Sequence, residues 1–188
     1  GFNGCGRSPA GWSPDYFSGN DEMPENGWNS VTVPGAVDTW VQLWEKFGSL
    51  SFDRLFKRAI EYAQDGYHIS PILAQDWDRS FNAFAHHEGF SETFAIDGRA
   101  PQLGEKFSCP QMAESLREIA ATKGDSFYRG RLAQKIAADS KKHGGLMTVD
   151  DLANHRGFWT DCIQNDYGDF TIHEIPPSGQ GIVTLIAA

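Results

Sequence analysis

The feature that most constrains this chain is a switch of apolar period: a long central region repeats every three or four residues, and beyond Phe158 the repeat becomes two. A strand cannot bury the first pattern, nor a helix the second. Val37, Trp40, Val41, Trp44 and Phe47 define a helix stopped by Gly48, with Trp40 and Trp44 expected as core anchors. Phe52, Leu55, Phe56, Ala59, Ile60 and Ala63 define the next, capped by Ser51 and ended at Gly66. Ser70 and Pro71 open a third helix, with Leu73, Trp77, Phe81 and Phe84 along one side. Met112 to Ala120 and Leu132 to Ala137 predict two more helices, the second closed by Gly144-Gly145. Thr148 and Asp151 form a capping-box variant heading a short helix through Ala153, while Gly89 to Ser108 reads as surface loop.

The flanks differ. Residues 1–34 are loop rich in Gly and Pro, with room for one short strand at Ser30 to Val33. From Phe158 to Ile175 two strands are expected around a turn at Tyr167-Gly168-Asp169, and Gly181 to Ala188 suits a buried helix packed on a sheet. Residues 35–157 are the helical region and 158–188 strands plus a truncated helix, so the class is α+β, with most sheet partners expected outside this stretch. Both ends read as cuts within a longer protein, and the whole as one partial domain.

Charge narrows the partners. With 25 acidic against 16 basic residues and a net charge of -9, the field repels phosphate backbones and anionic lipid, so neither nucleic acid nor membrane is expected. No apolar run reaches the roughly 20 residues of a membrane helix. The start at Gly1 has no signal-peptide pattern. Cys5, Cys109 and Cys162 lack ligand spacing and read as buried small hydrophobes; their odd number favours the cytoplasm over the periplasm. His86 and His87 are adjacent, and their rings are expected to point apart on a solvated helix end. No metal or organic cofactor is expected, and His68, His143, His155 and His173 receive no catalytic weight.

Candidate chemistry is sparse. Gly4-Cys5-Gly6-Arg7 lacks the third glycine of a dinucleotide loop and the Lys-Ser/Thr of a P-loop. What remains is an arginine on a tight turn, suited to bidentate capture of a carboxylate; a structural salt bridge fits the same residues equally well. Asp76 and Asp78 stand at i and i+2 on a helix and face apart, Asp150 and Asp151 suit a helix start, and Ser178 lacks the nucleophile elbow. No catalytic residue is assigned within these 188 residues.

Six segments then occur in a telling order: Asn3 to Ala10, Ser30 to Val37, Ala59 to Tyr67, Phe127 to Gly130, Gly144 to Ala153, and Pro176 to Gly181. Together they resemble the gamma-glutamyltranspeptidase family of N-terminal nucleophile hydrolases, across nearly the whole chain. The resemblance implies part of an αββα fold, belonging to the large subunit of a precursor that cleaves itself to expose a Thr on a small subunit. That Thr would be nucleophile and, through its amine, its own base, giving an acyl-enzyme from an amide. Arg7 matches the family arginine that grips the substrate carboxylate.

Two departures bear on substrate. Ser8-Pro9-Ala10 replaces the acidic residue usual after that arginine, and Pro176 to Gly181 is more similar to the amidases and acylases of the family. A gamma-glutamyl amide is therefore expected alongside a cephalosporin-type or oxamate-type amide, with a non-catalytic scaffold as the remaining alternative. The implied partners are a small-molecule amide and the small subunit of the same precursor, packed on Phe170 to Ile175 and the apolar tail.

Overall fold

The computed structural model describes residues 1–188 as a mixed α+β chain in which helices dominate. In chain order the elements are β1 (Phe2–Asn3), α1 (Ala36–Phe47), α2 (Phe52–Asp65), β2 (Tyr67–His68), α3 (Pro71–Phe84), α4 (Phe90–Phe94), β3 (Lys106–Phe107) and α5 (Pro110–Thr122). Next come α6 (Asp125–Arg129), α7 (Arg131–Lys142), α8 (Val149–Ala153), β4 (Phe158–Trp159), β5 (Ile163–Tyr167), β6 (Phe170–Glu174) and α9 (Gly181–Ala187). Each sheet is a two-stranded antiparallel pair: β1 with β4, β2 with β3, and β5 with β6.

The helix starts obey their capping chemistry unevenly. Ser70 Oγ accepts from Leu73 N at 3.3 Å, and Thr148 with Asp151 forms the reciprocal capping box. Ser51 occupies the cap of α2 without a side-chain hydrogen bond.

Contacts divide the chain into two units, Leu50–Ala121 and the pair of segments Gly1–Ser49 and Thr122–Ala188. The first has a core of Ile69, Phe107 and Cys109, against which Leu73, Trp77, Phe94 and Ile96 pack. Trp77 buries its ring edge-on to Phe107 and satisfies its indole N–H on Phe94 O at 3.0 Å. The stretch expected to be plain loop here contains α4 and β3, and Arg99 forms a fork on Glu105 at 2.7 and 2.8 Å.

The second unit is built from both ends of the chain. α6, α7 and α8 succeed one another around buried Tyr128, Leu132, Ala133, Met147 and Leu152. Ser140, fully buried, accepts from Met147 N at 3.0 Å and so ties the Gly144-Gly145 turn to α7. The expected strand at Ser30 to Val33 is instead a 3-10 turn over Trp28–Ser30 and then extended chain, because Val33 N binds a loop carbonyl, Arg7 O, rather than a strand.

Other expectations are corrected. Trp40 is 44 % exposed and anchors no core within this chain, and Cys5 and Cys162 are exposed whereas Cys109 is buried. The hairpin forms around Gly168 as expected, and α9 packs on it, with Asn165 Nδ2 donating to Leu185 O at 3.0 Å. Only Leu185 of α9 is buried; Phe170 is 76 % and Ile186 78 % exposed, leaving an apolar face on the hairpin and helix.

Candidate functional site

The loop after β1 is shaped by backbone contact. Asn3 Oδ1 accepts from Cys5 N at 2.9 Å, and Arg7 O accepts from Val33 N at 3.0 Å. A Cβ on Gly6 would collide with Val33 O, and one on Gly35 with Gly4 O, so only glycine lets these two stretches of loop touch. Arg7 is thereby held by its own main chain while its guanidinium, exposed, makes no hydrogen bond or ion pair.

Behind the cavity lies the start of α1. Its cap residue is Gly35, which has no side chain to offer the orphan N–H groups. Tyr128 of α6 supplies the missing acceptor: its hydroxyl accepts from Asp38 N at 3.0 Å and donates to Pro34 O at 2.8 Å. Burial, against a weaker opposing effect of the Asp38 N–H, pushes the Tyr128 phenol up to about 12, so it stays protonated. The Asp38 carboxylate accepts from Gly157 N at 2.7 Å, joining α1 to the chain just before β4.

The floor is the exit of α8. His155 N donates to Leu152 O at 3.1 Å, and its ring lies 5.2 Å from that of Tyr128, at 18° and therefore stacked. The imidazole is 2 % exposed, and Nε2 stands 3.7 Å from Asp38 Oδ2 with no hydrogen-bond partner. Burial lowers the His155 pKa; Asp38 opposes this and Arg7 reinforces it, so the ring is neutral at pH 7. Next along the chain, Arg156 Nη1 donates to His155 O at 2.6 Å.

Arg7, His155 and Arg156 line a cavity of about 560 Å³, together with Cys5, Ser8, Ala10 and Asn154. Asp151 is the one carboxylate on its wall, and both oxygens are occupied, Oδ1 by Ala10 N at 2.8 Å and Oδ2 by Thr148 N at 2.9 Å and Thr148 Oγ1 at 2.7 Å. Although burial opposes it, the bonds from Thr148 and Ala10 hold the Asp151 carboxyl below its ordinary value. The cavity thus presents two guanidinium groups, one unpaired, against a single satisfied carboxylate. That arrangement suits a carboxylate ligand. Neither Cys5 nor Ser8 is bonded to His155 Nε2, so no nucleophile and base are paired here.

Of the residues singled out in the sequence, Arg7 lies in this cavity and Asp151 forms part of its wall. Asp76 pairs with Arg79 at 3.1 Å on α3, and Asp78 accepts from Asn82 at 3.5 Å. The rings of His86 and His87 do not point apart: their centroids are 4.1 Å from each other. His155 received no catalytic weight from the sequence, and Asp38, Tyr128 and Arg156 were not picked out as site residues; the only signal was a His-Arg pair directly after a capped helix.

The family model of gamma-glutamyltranspeptidase matches residues 1–188. The glutathione hydrolase-like YwrD proenzyme of Bacillus subtilis is 33 % identical over 186 residues, covering 98 % of this chain and 35 % of that protein. The oxamate amidohydrolase proenzyme of Klebsiella pneumoniae is 32 % identical over 91 % of this chain and 34 % of its own length. The crystal structure of cephalosporin acylase from Bacillus halodurans superposes with a TM-score of 0.92 at 38 % identity, over 97 % of this chain and 36 % of that one. The chain therefore spans about a third of the length of these relatives. With its whole length matched by the family model, and its fold shared with a solved acylase, the chain belongs to the gamma-glutamyltranspeptidase family.

Proposed function

We propose that residues 1–188 are a large-subunit segment of an enzyme that transfers or hydrolyses the acyl group of a small carboxylate-bearing amide, and that Arg7 holds the substrate carboxylate. The observation that carries this reading is the unpaired Arg7 guanidinium in a cavity whose one carboxylate is already satisfied. The acyl-enzyme forms on an N-terminal Thr of the small subunit, outside this segment; that subunit is the obligatory partner and packs on the exposed hairpin and α9. No residue of 1–188 is assigned as nucleophile. Gamma-glutamyl amides are the leading substrate class, in keeping with the glutathione hydrolase-like relative. Similarity to an oxamate amidohydrolase and a cephalosporin acylase supports a second reading, an amidase acting on a non-glutamyl amide.

The test is Arg7→Ala in the full-length protein. Loss of a charge-assisted contact of about 1.5–3 kcal/mol raises KM roughly 10- to 150-fold for a carboxylate substrate and leaves self-cleavage intact. An unchanged KM removes Arg7 from the site. A panel of gamma-glutamyl, oxamate and cephalosporin-type amides separates the two substrate readings.

A further inference from the structure

We propose that His155 is a positioning residue of this cavity: it takes up a proton from solvent when an anion binds, and the imidazolium so formed pairs with Asp38 and strengthens the positive wall facing the ligand. The proposal rests on the reading of the cavity as a carboxylate site. Its basis is an unusual arrangement. A buried ring nitrogen of a cavity-lining residue has no hydrogen-bond partner and stands 3.7 Å from a carboxylate oxygen. Such an atom either turns a lone pair toward another lone pair or leaves an N–H short of a bond, and a buried polar group in that state is destabilising. A second proton on the ring makes Nε2 a charged donor facing Asp38 Oδ2, the oxygen that also accepts from Gly157 N.

Burial is the chief cause that keeps the second proton off the ring, and the charged groups around it modulate that cost. Asp38 approaches from α1 and favours protonation, whereas Tyr128 from α6 is a neutral phenol at all ordinary pH. Asp151 of α8 is ionised but committed to Thr148 and Ala10. Arg129 is turned onto Ala153 O at 3.2 Å and Arg156 onto His155 O, leaving Arg7 as the unpaired cation acting against His155. An anion that pairs with Arg7 cancels that field, and protonation becomes easier. By linkage the relation is reciprocal: if anion binding favours the proton, the proton favours the anion by the same factor. The cavity therefore binds carboxylate more tightly as pH falls through the range in which the occupied form titrates. The rise is at most tenfold per pH unit for one proton, and affinity levels off below the pKa of the empty form.

The experiment uses the full-length, processed enzyme with L-glutamate and oxamate as probes, titrated calorimetrically in two buffers of different ionisation enthalpy between pH 5 and 8. The expected result is Arg7-dependent binding with a fraction of one proton taken up per anion, and affinity rising as pH falls. In His155→Gln, uptake falls to near zero and the pH dependence flattens. Arg7-dependent binding without proton uptake, or with uptake unchanged in His155→Gln, overturns the role of His155 alone. Binding of neither probe, or binding indifferent to Arg7→Ala, overturns the carboxylate reading and the proposal with it. If His155→Gln fails to fold, the ring nitrogens of 15N-histidine-labelled wild type decide the matter: saturation with the anion at pH 7 shifts the His155 resonances toward imidazolium, and unmoved resonances refute the idea.

Discussion

The hydroxyl of Tyr128 is the smallest perturbation that tests how the site is held. Tyr128→Phe keeps the ring, its stacking on His155 and the volume of the core, and removes one oxygen. That oxygen accepts from Asp38 N at 3.0 Å and donates to Pro34 O at 2.8 Å, so two main-chain groups at the start of α1 lose their partner together. Each hydrogen bond contributes about 1 kcal/mol net, and an unsatisfied buried group costs about 1–3 kcal/mol. Both groups are only partly buried, which places the sum at about 2–3 kcal/mol, near the low end for two such losses. Denaturant unfolding of the full-length protein, monitored by circular dichroism in wild type and variant, measures the difference. Because Gly35 abuts Gly4 and the adjoining Val33 N binds Arg7 O, KM for the carboxylate substrate rises in the same variant while kcat changes less. A stability change under about 0.5 kcal/mol, the level of an indifferent surface substitution, would refute the bridging role of the hydroxyl.

The hydrogen-bond geometry sets two further outcomes. Thr148→Ala removes the acceptor of Asp151 N at 3.1 Å and one donor to Asp151 Oδ2, lowering stability by about 0.5–2 kcal/mol; faster amide exchange at Asp151 is the local readout, and unchanged exchange contradicts the capping box. In the other unit, the Arg99 guanidinium, with Gln102 N, draws the Glu105 carboxyl down to about 2. A carboxyl whose folded pKa lies below its unfolded one stabilises the fold above the unfolded value, and this contribution is lost as pH falls toward 2. A carbon-13 titration of the Glu105 side chain locates the midpoint, and a midpoint at the ordinary 4.5 would show the fork to be absent in solution.

The elements legible in the sequence were those whose cause is local. α1, α2, α3 and α7 exceed three turns, long enough for an apolar period to show, and Ser70 and the Thr148–Asp151 pair advertise their caps. α6 is five residues, too short to display any period, and β2 and β3 are two residues each, defined only by one another. Trp40 carried the right spacing, yet spacing identifies a stripe and not what covers it. At the site, Arg7 was readable because the glycines before it narrow what an arginine can be for. His155 was not: what makes it unusual is Asp38, whose carboxylate reaches the neighbourhood through a bond to Gly157 that spans 119 positions. Cys5 looked like a core residue by composition and is exposed, the loop being packed through its glycines instead, Gly4 against Thr39 and Gly6 against Val33 O.

The strand pair β1 and β4 has a consequence for the order in which the cavity comes into being. Phe2 and Asn3 register with Trp159 and Phe158, Ala10 N reaches Asp151, and Pro34 O waits for Tyr128. β1 cannot find its partner until the ribosome has passed Trp159, so the Arg7 loop is made well before β4 can fix it. Leu50–Ala121, with a core of its own, is free to settle in the interval. In the order of synthesis it is an excursion between two halves of one unit. Doubling the length of such an excursion adds only about 0.6 kcal/mol of closure entropy, so lengthening it is tolerable, whereas ending the chain before Phe158 leaves the Arg7 loop without β4, the strand its own β1 pairs with.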